Sequence, residues 1–315
     1  MTRFILGINL GFATNRFPEA EVWARIVREE LGLASVQLVA DLLNPFWPEE
    51  VIEAEVTRIE RAVNHYGIEI HSLMTSTYTR VNHLMHPHPE TRQAWSDWFA
   101  RFAGLAARLG ARAVGSHFGI LSVQDLNDPF RYRQRVDEAV CRWQELSYLA
   151  RDLGLQYLFF ETMSIPREMG WTIAQARRLY ERVNRNAGVP FVYCLDVGHA
   201  PHPKQRDPYL WLRELGRDAR LVHLQQTEFG HSHHWPFTSE YNRVGIIDPR
   251  RVLDTLAAAG AAEIWLGFEI SHREKFEIEP RVIPDLVASS AYWRRFLPVD
   301  GSYEPTERAR EERRT

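Results

Sequence analysis

The chain has 315 residues, 45% of them hydrophobic and 25% charged, with a net charge of −3. That composition predicts an ordinary globular protein of one large or two average domains. No apolar run approaches the ~18 residues of a membrane span, and two cysteines, Cys141 and Cys194, exclude a disulfide scaffold. The start, Met1-Thr2-Arg3-Phe4-Ile5-Leu6-Gly7, lacks the features of a secretory signal. A cytoplasmic protein in a reducing compartment is therefore expected. The weakly acidic charge argues against a nucleic-acid partner, and nothing points to a membrane partner. Lysine occurs only at Lys204 and Lys275, which leaves little room for Schiff-base chemistry.

Short apolar runs alternate with longer amphipathic stretches. The runs cover 4–9, 35–39, 68–73, 113–117, 157–161, 191–196, 221–224 and 264–269. The helical patterns cover 19–31, 49–66, 90–109, 132–153, 173–186, 207–215, 249–259 and 282–296. Gly32, Gly67, Gly110, Gly154, Gly188, Gly216 and Gly260 each follow a helical pattern closely, as helix-ending glycines do. Eight strand–helix units predict an α/β fold, a single (β/α)8 TIM barrel. The rival, a doubly wound open sheet, lacks a Gly-x-Gly-x-x-Gly after the first strand. The barrel is expected over 1–300. Residues 301–315 carry four glutamates and four arginines with almost no apolar residue, and read as a disordered charged tail.

In such a barrel, reacting groups come from the C-terminal ends of the strands. Strands five to eight end in Glu161, Asp196, His223 and Glu269. Period-two alternation sets Phe160, Tyr193, Leu195, Val222, Leu266 and Phe268 outward and all four polar residues inward. A single such residue would be an ordinary loop cap or ion-pair partner. Three carboxylates and an imidazole on four adjacent strands need a compensating charge, which a divalent cation supplies. The donor set suits Mn2+ first, then Mg2+ or Co2+, with Zn2+ admissible.

The segments Phe160-Glu161, Leu195-Asp196-Val197-Gly198-His199, Val222-His223-Leu224 and Gly267-Phe268-Glu269, with Gly245-Ile246-Ile247-Asp248, resemble the xylose-isomerase-like barrel superfamily. The resemblance spans about residues 4–297. Within that superfamily the chain is most similar to the ketose and tetrulose-phosphate 3-epimerases. Gly7-Ile8-Asn9 and Trp23-Ala24-Arg25-Ile26-Val27 resemble the erythrulose-phosphate branch. The resemblance implies Glu161, Asp196, His223 and Glu269 as metal ligands and Glu161 and Glu269 as the proton-moving pair. It also implies His199 as a contact to the substrate oxygens. The chain departs from the epimerase pattern after strand seven. It carries Gln225-Gln226-Thr227-Glu228 and a His231/His233/His234 cluster where those enzymes have a Gly-Glu and an arginine.

These expectations describe a metal-dependent sugar or sugar-phosphate isomerase or 3-epimerase acting through an enediolate. Decarboxylation of a 3-oxo sugar acid is an alternative on the same residues. An abasic-site endonuclease of the same barrel would need more metal ligands and a basic face. His71 and His117, inward by alternation, are candidate substrate contacts. Arg273 and Lys275, after strand eight, are candidates for gripping a phosphate or carboxylate. The partner is a small sugar or sugar derivative, and a homo-oligomer is compatible with the sequence.

Overall fold

A computed structural model of the protein describes residues 1–200, 203–274 and 277–312. Eight parallel strands form a closed barrel: β1 Thr2–Asn9, β2 Ser35–Val39, β3 Glu69–Met74, β4 Ala113–His117, β5 Tyr157–Glu161, β6 Phe191–Asp196, β7 Ala219–Leu224 and β8 Glu263–Phe268. Each pairs with its neighbours in sequence. Closure comes from β1, which meets β8 over Arg3–Ile8 and β2 at Ile8 and Asn9. The (β/α)8 architecture read from the sequence is thus the architecture found, with four strand spans coinciding and four shifted by a residue or two.

The alternation works as expected because the two faces have different neighbours. Outside, strand residues pack on helices: Tyr193 stacks on Tyr180 of helix Ile173–Asn184 at 4.9 Å, and Phe160 meets Phe118 and Tyr193 edge-on. Inside, Met74, Ala113, Tyr157, Phe159, Val192, Cys194, Leu221 and Trp265 form a separate small core. Trp265 plugs this interior, and two glycines make room for it. A Cβ at Gly267 would overlap its ring, and one at Gly7 would stand 2.6 Å from its indole nitrogen.

The glycine punctuation has a backbone basis. Gly67 and Gly260 end helices Glu49–Tyr66 and Pro249–Ala259 in the left-handed conformation, at φ 62° and 89°, which a side chain would strain. Gly188 and Gly216 do not adopt positive φ. Gly188 is instead held close to Ser147 and Tyr148 of the neighbouring helix.

The end of the chain differs from expectation in its described part. Ser302–Tyr303 forms β9, antiparallel to Thr2 and Arg3, and Glu307–Glu312 is helical. The anchor is Asp254, which accepts from the Tyr303 hydroxyl at 3.0 Å and from both the amide and hydroxyl of Thr306. Tyr303 and Thr306 thus dock the segment on Asp254, beside its pairing with β1. Among the described residues, no helix is long and apolar enough to cross a membrane.

Candidate active site

Glu161 and Asp196 are the last residues of β5 and β6, His223 the penultimate residue of β7, and Glu269 follows β8 directly. The Glu269 amide still donates to Leu224, so Glu269 keeps the inward orientation of the strand it extends. One donor atom from each of the four side chains lies within 4.8 Å of all the others. The structure thus brings together the four residues that the strand ends suggested.

His223 is fully buried and organises the group. Its Nδ1 lies 3.0 Å from Glu161 Oε1 and 3.3 Å from Glu269 Oε2. Its Nε2 is 2.9 Å from Gln37 Oε1, and Cys194 Sγ sits 3.5 Å away. Burial alone would lower the imidazole pKa, but Cys194, Glu269 and Glu161 raise it well above the ordinary value. Burial raises Asp196, whereas for Glu269 the surrounding imidazoles of His223, His234 and His199 outweigh burial and hold the carboxyl below its usual range. Burial keeps the Cys194 thiol protonated, its pKa pushed up to about 12.

The quartet fits a divalent cation. Asp196 Oδ1 accepts from the Gly198 amide and from Gln225, while Oδ2 is buried without a hydrogen-bond partner. An unpaired anionic oxygen among three further donors is an arrangement that a cation satisfies. Asp196, His199 and His234 make an overlapping donor group.

A cavity of about 380 Å³ opens over the quartet, lined by Glu161, Glu269 and His199 among others. His199 donates from Nδ1 to the Thr162 carbonyl at 3.1 Å, which leaves Nε2 for a ligand. Burial opposes its charging, but Asp196, Glu161 and Glu269 raise its pKa. The histidine-rich loop after β7 divides. His231, His233 and Trp235 stack successively, with Tyr241 beyond, while His234 turns to the cavity at φ 52° and donates from Nδ1 to the Glu269 carbonyl.

Other expected contacts change. His117 lines the cavity, but Nε2 donates to the Val81 carbonyl and Nδ1 meets the Ser116 hydroxyl, so both nitrogens are engaged. His71 is inward, as expected, yet it lies at the opposite end of the barrel. It stacks on Trp265 at 5.2 Å and lines a second cavity with Arg112 and Glu263. Alternation fixes which face a residue takes; its height along the strand is set by position, and His71 stands near the start of β3. Arg273 is exposed and outside the cavity lining. Lys275 falls outside the described residues. The cavity's guanidinium groups are instead Arg16 and Arg80, from the loops after β1 and β3. Sequence reasoning missed both, and also Gln37, the only polar residue between Val36 and Leu38 and legible as inward by the same alternation.

Residues 27–293 match the family of xylose isomerase-like TIM barrels. The chain belongs to that family. It is 33% identical over 293 residues, 91% of this chain and 94% of the other, to the D-erythrulose 1-phosphate 3-epimerase of Brucella abortus (strain 2308). Among solved structures it is similar to a protein of Rhodospirillum rubrum ATCC 11170 described provisionally as a xylose isomerase. That match has 26% identity and a TM-score of 0.85, covering 95% of this chain and 100% of that one. The D-psicose 3-epimerase of Clostridium cellulolyticum H10 shares the fold at 13% identity and a TM-score of 0.72, covering 93% and 99%. The matched relatives are sugar isomerases and epimerases, and this family member is an enzyme of that kind.

Proposed function

We propose that this family member is a divalent-metal-dependent 3-epimerase of a short ketose or ketose phosphate, with Glu161 and Glu269 as the two proton-transfer groups. The observation that carries this reading is the pair of glutamates from β5 and β8, both lining one cavity and both within ion-pair distance of the buried His223. The 33%-identical D-erythrulose 1-phosphate 3-epimerase supports the same reaction class.

Glu161, Asp196, His223 and Glu269 are the residues that would hold the cation. Bound there, it supplies Lewis acidity that stabilises the negative charge developing on the ketone oxygen. The remaining work belongs to the chain. One glutamate takes the proton from C3 of the ketose. The other delivers a proton to the opposite face of that carbon, so the configuration inverts and no atom is lost. His199 Nε2 hydrogen-bonds a substrate oxygen, and His234 holds the Glu269 backbone in place. Gln37 accepts from His223 Nε2–H and thereby leaves Nδ1 as the ligating nitrogen. Mn2+ is the favoured ion for this oxygen-rich set with one imidazole.

The test is solvent exchange. In D2O with Mn2+, the holoenzyme is expected to exchange the C3 hydrogen of its ketose and to convert it to the 3-epimer. Release of CO2 from a 3-oxo sugar acid without exchange into ketoses would replace this reading with decarboxylation.

A further inference from the structure

The active cavity is polarised across the barrel. Its carboxylates and most of its imidazoles come from β5 to β8, whereas its two arginines follow β1 and β3. β1 and β3 flank β2, which stands across the closed sheet from β6. The loops that carry the two arginines thus reach across to the segments after β8 and β5, where Glu279, the His272 carbonyl and Glu168 hold the guanidinium groups at the cavity.

Both arginines are held along one edge and left free at the other. Arg16 donates from Nε and Nη2 to the two oxygens of Glu279 at 2.8 Å each, and from Nη2 to the His272 carbonyl at 2.9 Å. Arg80 donates from Nε to Glu168 Oε1 at 2.8 Å, and its Nη2 pairs with the same oxygen. Glu168 is 1% exposed, so this anchor is a buried carboxylate. Among the described residues, neither Nη1 has a protein acceptor. The two loops are also tied to each other. Asn15, beside Arg16, donates to the hydroxyl of Tyr78, two residues before Arg80, at 2.7 Å, and to Glu274 at 2.8 Å. Thr77 and Ser271 add hydroxyls to the same lining.

Two pre-positioned guanidinium groups, each with a free two-hydrogen nitrogen, match a tetrahedral oxyanion. We propose that Arg16 and Arg80 form a phosphate subsite, so that the substrate is a short ketose bearing a terminal phosphomonoester. Its C3 lies toward Glu161 and Glu269. This assignment rests on the epimerase reading for the orientation of the sugar.

The experiment compares the Mn2+ holoenzyme with Arg16→Gln and Arg80→Lys, using erythrulose 1-phosphate and free erythrulose. Lysine at 80 keeps a cation beside buried Glu168, so folding is preserved, and circular dichroism and melting temperature check this for each variant. Each variant is expected to lose about 10–100-fold in kcat/KM on the phosphate ester, chiefly through KM, and under about threefold on the free sugar, the scale of hydrogen bonds to charged groups. Arg273→Ala is expected to change neither. Inorganic phosphate, titrated calorimetrically, is expected to bind the wild type and bind the variants more weakly. Equal losses on both sugars, or no phosphate binding by the wild type, would overturn the subsite. Phosphate binding that weakens in the variants, with neither ketose turned over, would uphold the subsite and overturn the epimerase reading instead.

Discussion

Glu161 Oε1 lies 3.0 Å from His223 Nδ1 at the mouth of the barrel, while the other nitrogen of the same imidazole is 2.9 Å from Gln37 Oε1. The second contact decides what the first can do. An amide oxygen only accepts, so Nε2 keeps a proton; when the imidazole is charged Nδ1–H donates to the carboxylates, and when it is neutral Nδ1 is the nitrogen left to take a cation. Gln37 is itself fixed by Asn9, which donates to the same oxygen at 2.7 Å, and its own amide donates to Ser72. Three strands thus orient one ligand from behind.

Gln37→Leu should consequently weaken metal binding without removing a ligand. Loss of such an outer partner costs about 10–100-fold in affinity. Mn2+ titration by calorimetry measures it directly. An affinity equal to wild type would show that His223 keeps its orientation without Gln37.

Metal removal should be visible in stability as well as activity. Because the quartet is assembled only in the folded chain, a cation at a hundredfold its dissociation constant adds about 2.7 kcal/mol. EDTA is expected to lower the melting temperature by a few degrees and to abolish turnover, with Mn2+ or Co2+ restoring both. A protein whose melting and activity ignore EDTA would have no such centre.

The fold and the quartet were legible because both depend on periodicities that the sequence carries openly. Strand alternation separated Phe160 from Glu161 and Leu195 from Asp196, and the helix-ending glycines marked the units. What was not legible depends on distance rather than pattern. His71 obeys the inward rule but sits near the start of its strand, so it packs under Trp265 instead of reaching the mouth. Arg16 and Arg80 lie in loops, where no periodicity distinguishes a cavity-lining arginine from the many on the surface. Tyr303 docks through Asp254, a partner 49 residues away, which local composition could not show.

Buried neutral histidines make the protein sensitive to acid. Burial pushes the pKa of His71 down to about 3 and of His117 to about 4, and holds fully buried His83 well below its ordinary value. Above about pH 6.5 neither folded nor unfolded chain protonates them, and there is no penalty. As pH falls below that value, the unfolded chain takes up protons that the folded one refuses, so stability falls by about 1.4 kcal/mol per pH unit for each histidine. His71→Phe keeps a flat ring against Trp265 but cannot titrate. In urea unfolding between pH 7 and 5, with EDTA present throughout, the variant should lose stability less steeply than wild type by roughly that slope. Parallel curves would mean that His71 charges in the folded barrel.

The two glutamates can be separated by what each variant still does. Glu161→Gln and Glu269→Gln preserve shape and one coordinating oxygen but remove the basic carboxylate. A positioned acid–base group contributes about 10²–10⁴-fold in rate, so each variant should lose epimerisation by that factor while still binding metal. The residual chemistry should differ between them. With one base intact, one variant should still exchange the C3 hydrogen of one epimer into D2O, and the other variant that of the opposite epimer, because each glutamate serves a single face of the carbon. NMR of both epimers in D2O resolves the two cases. Retained full activity in either variant would remove that residue from the proton-transfer pair. Loss of exchange from both epimers in both variants, with metal still bound, would show instead that each abstraction needs both carboxylates, and would overturn the assignment of one glutamate to each face.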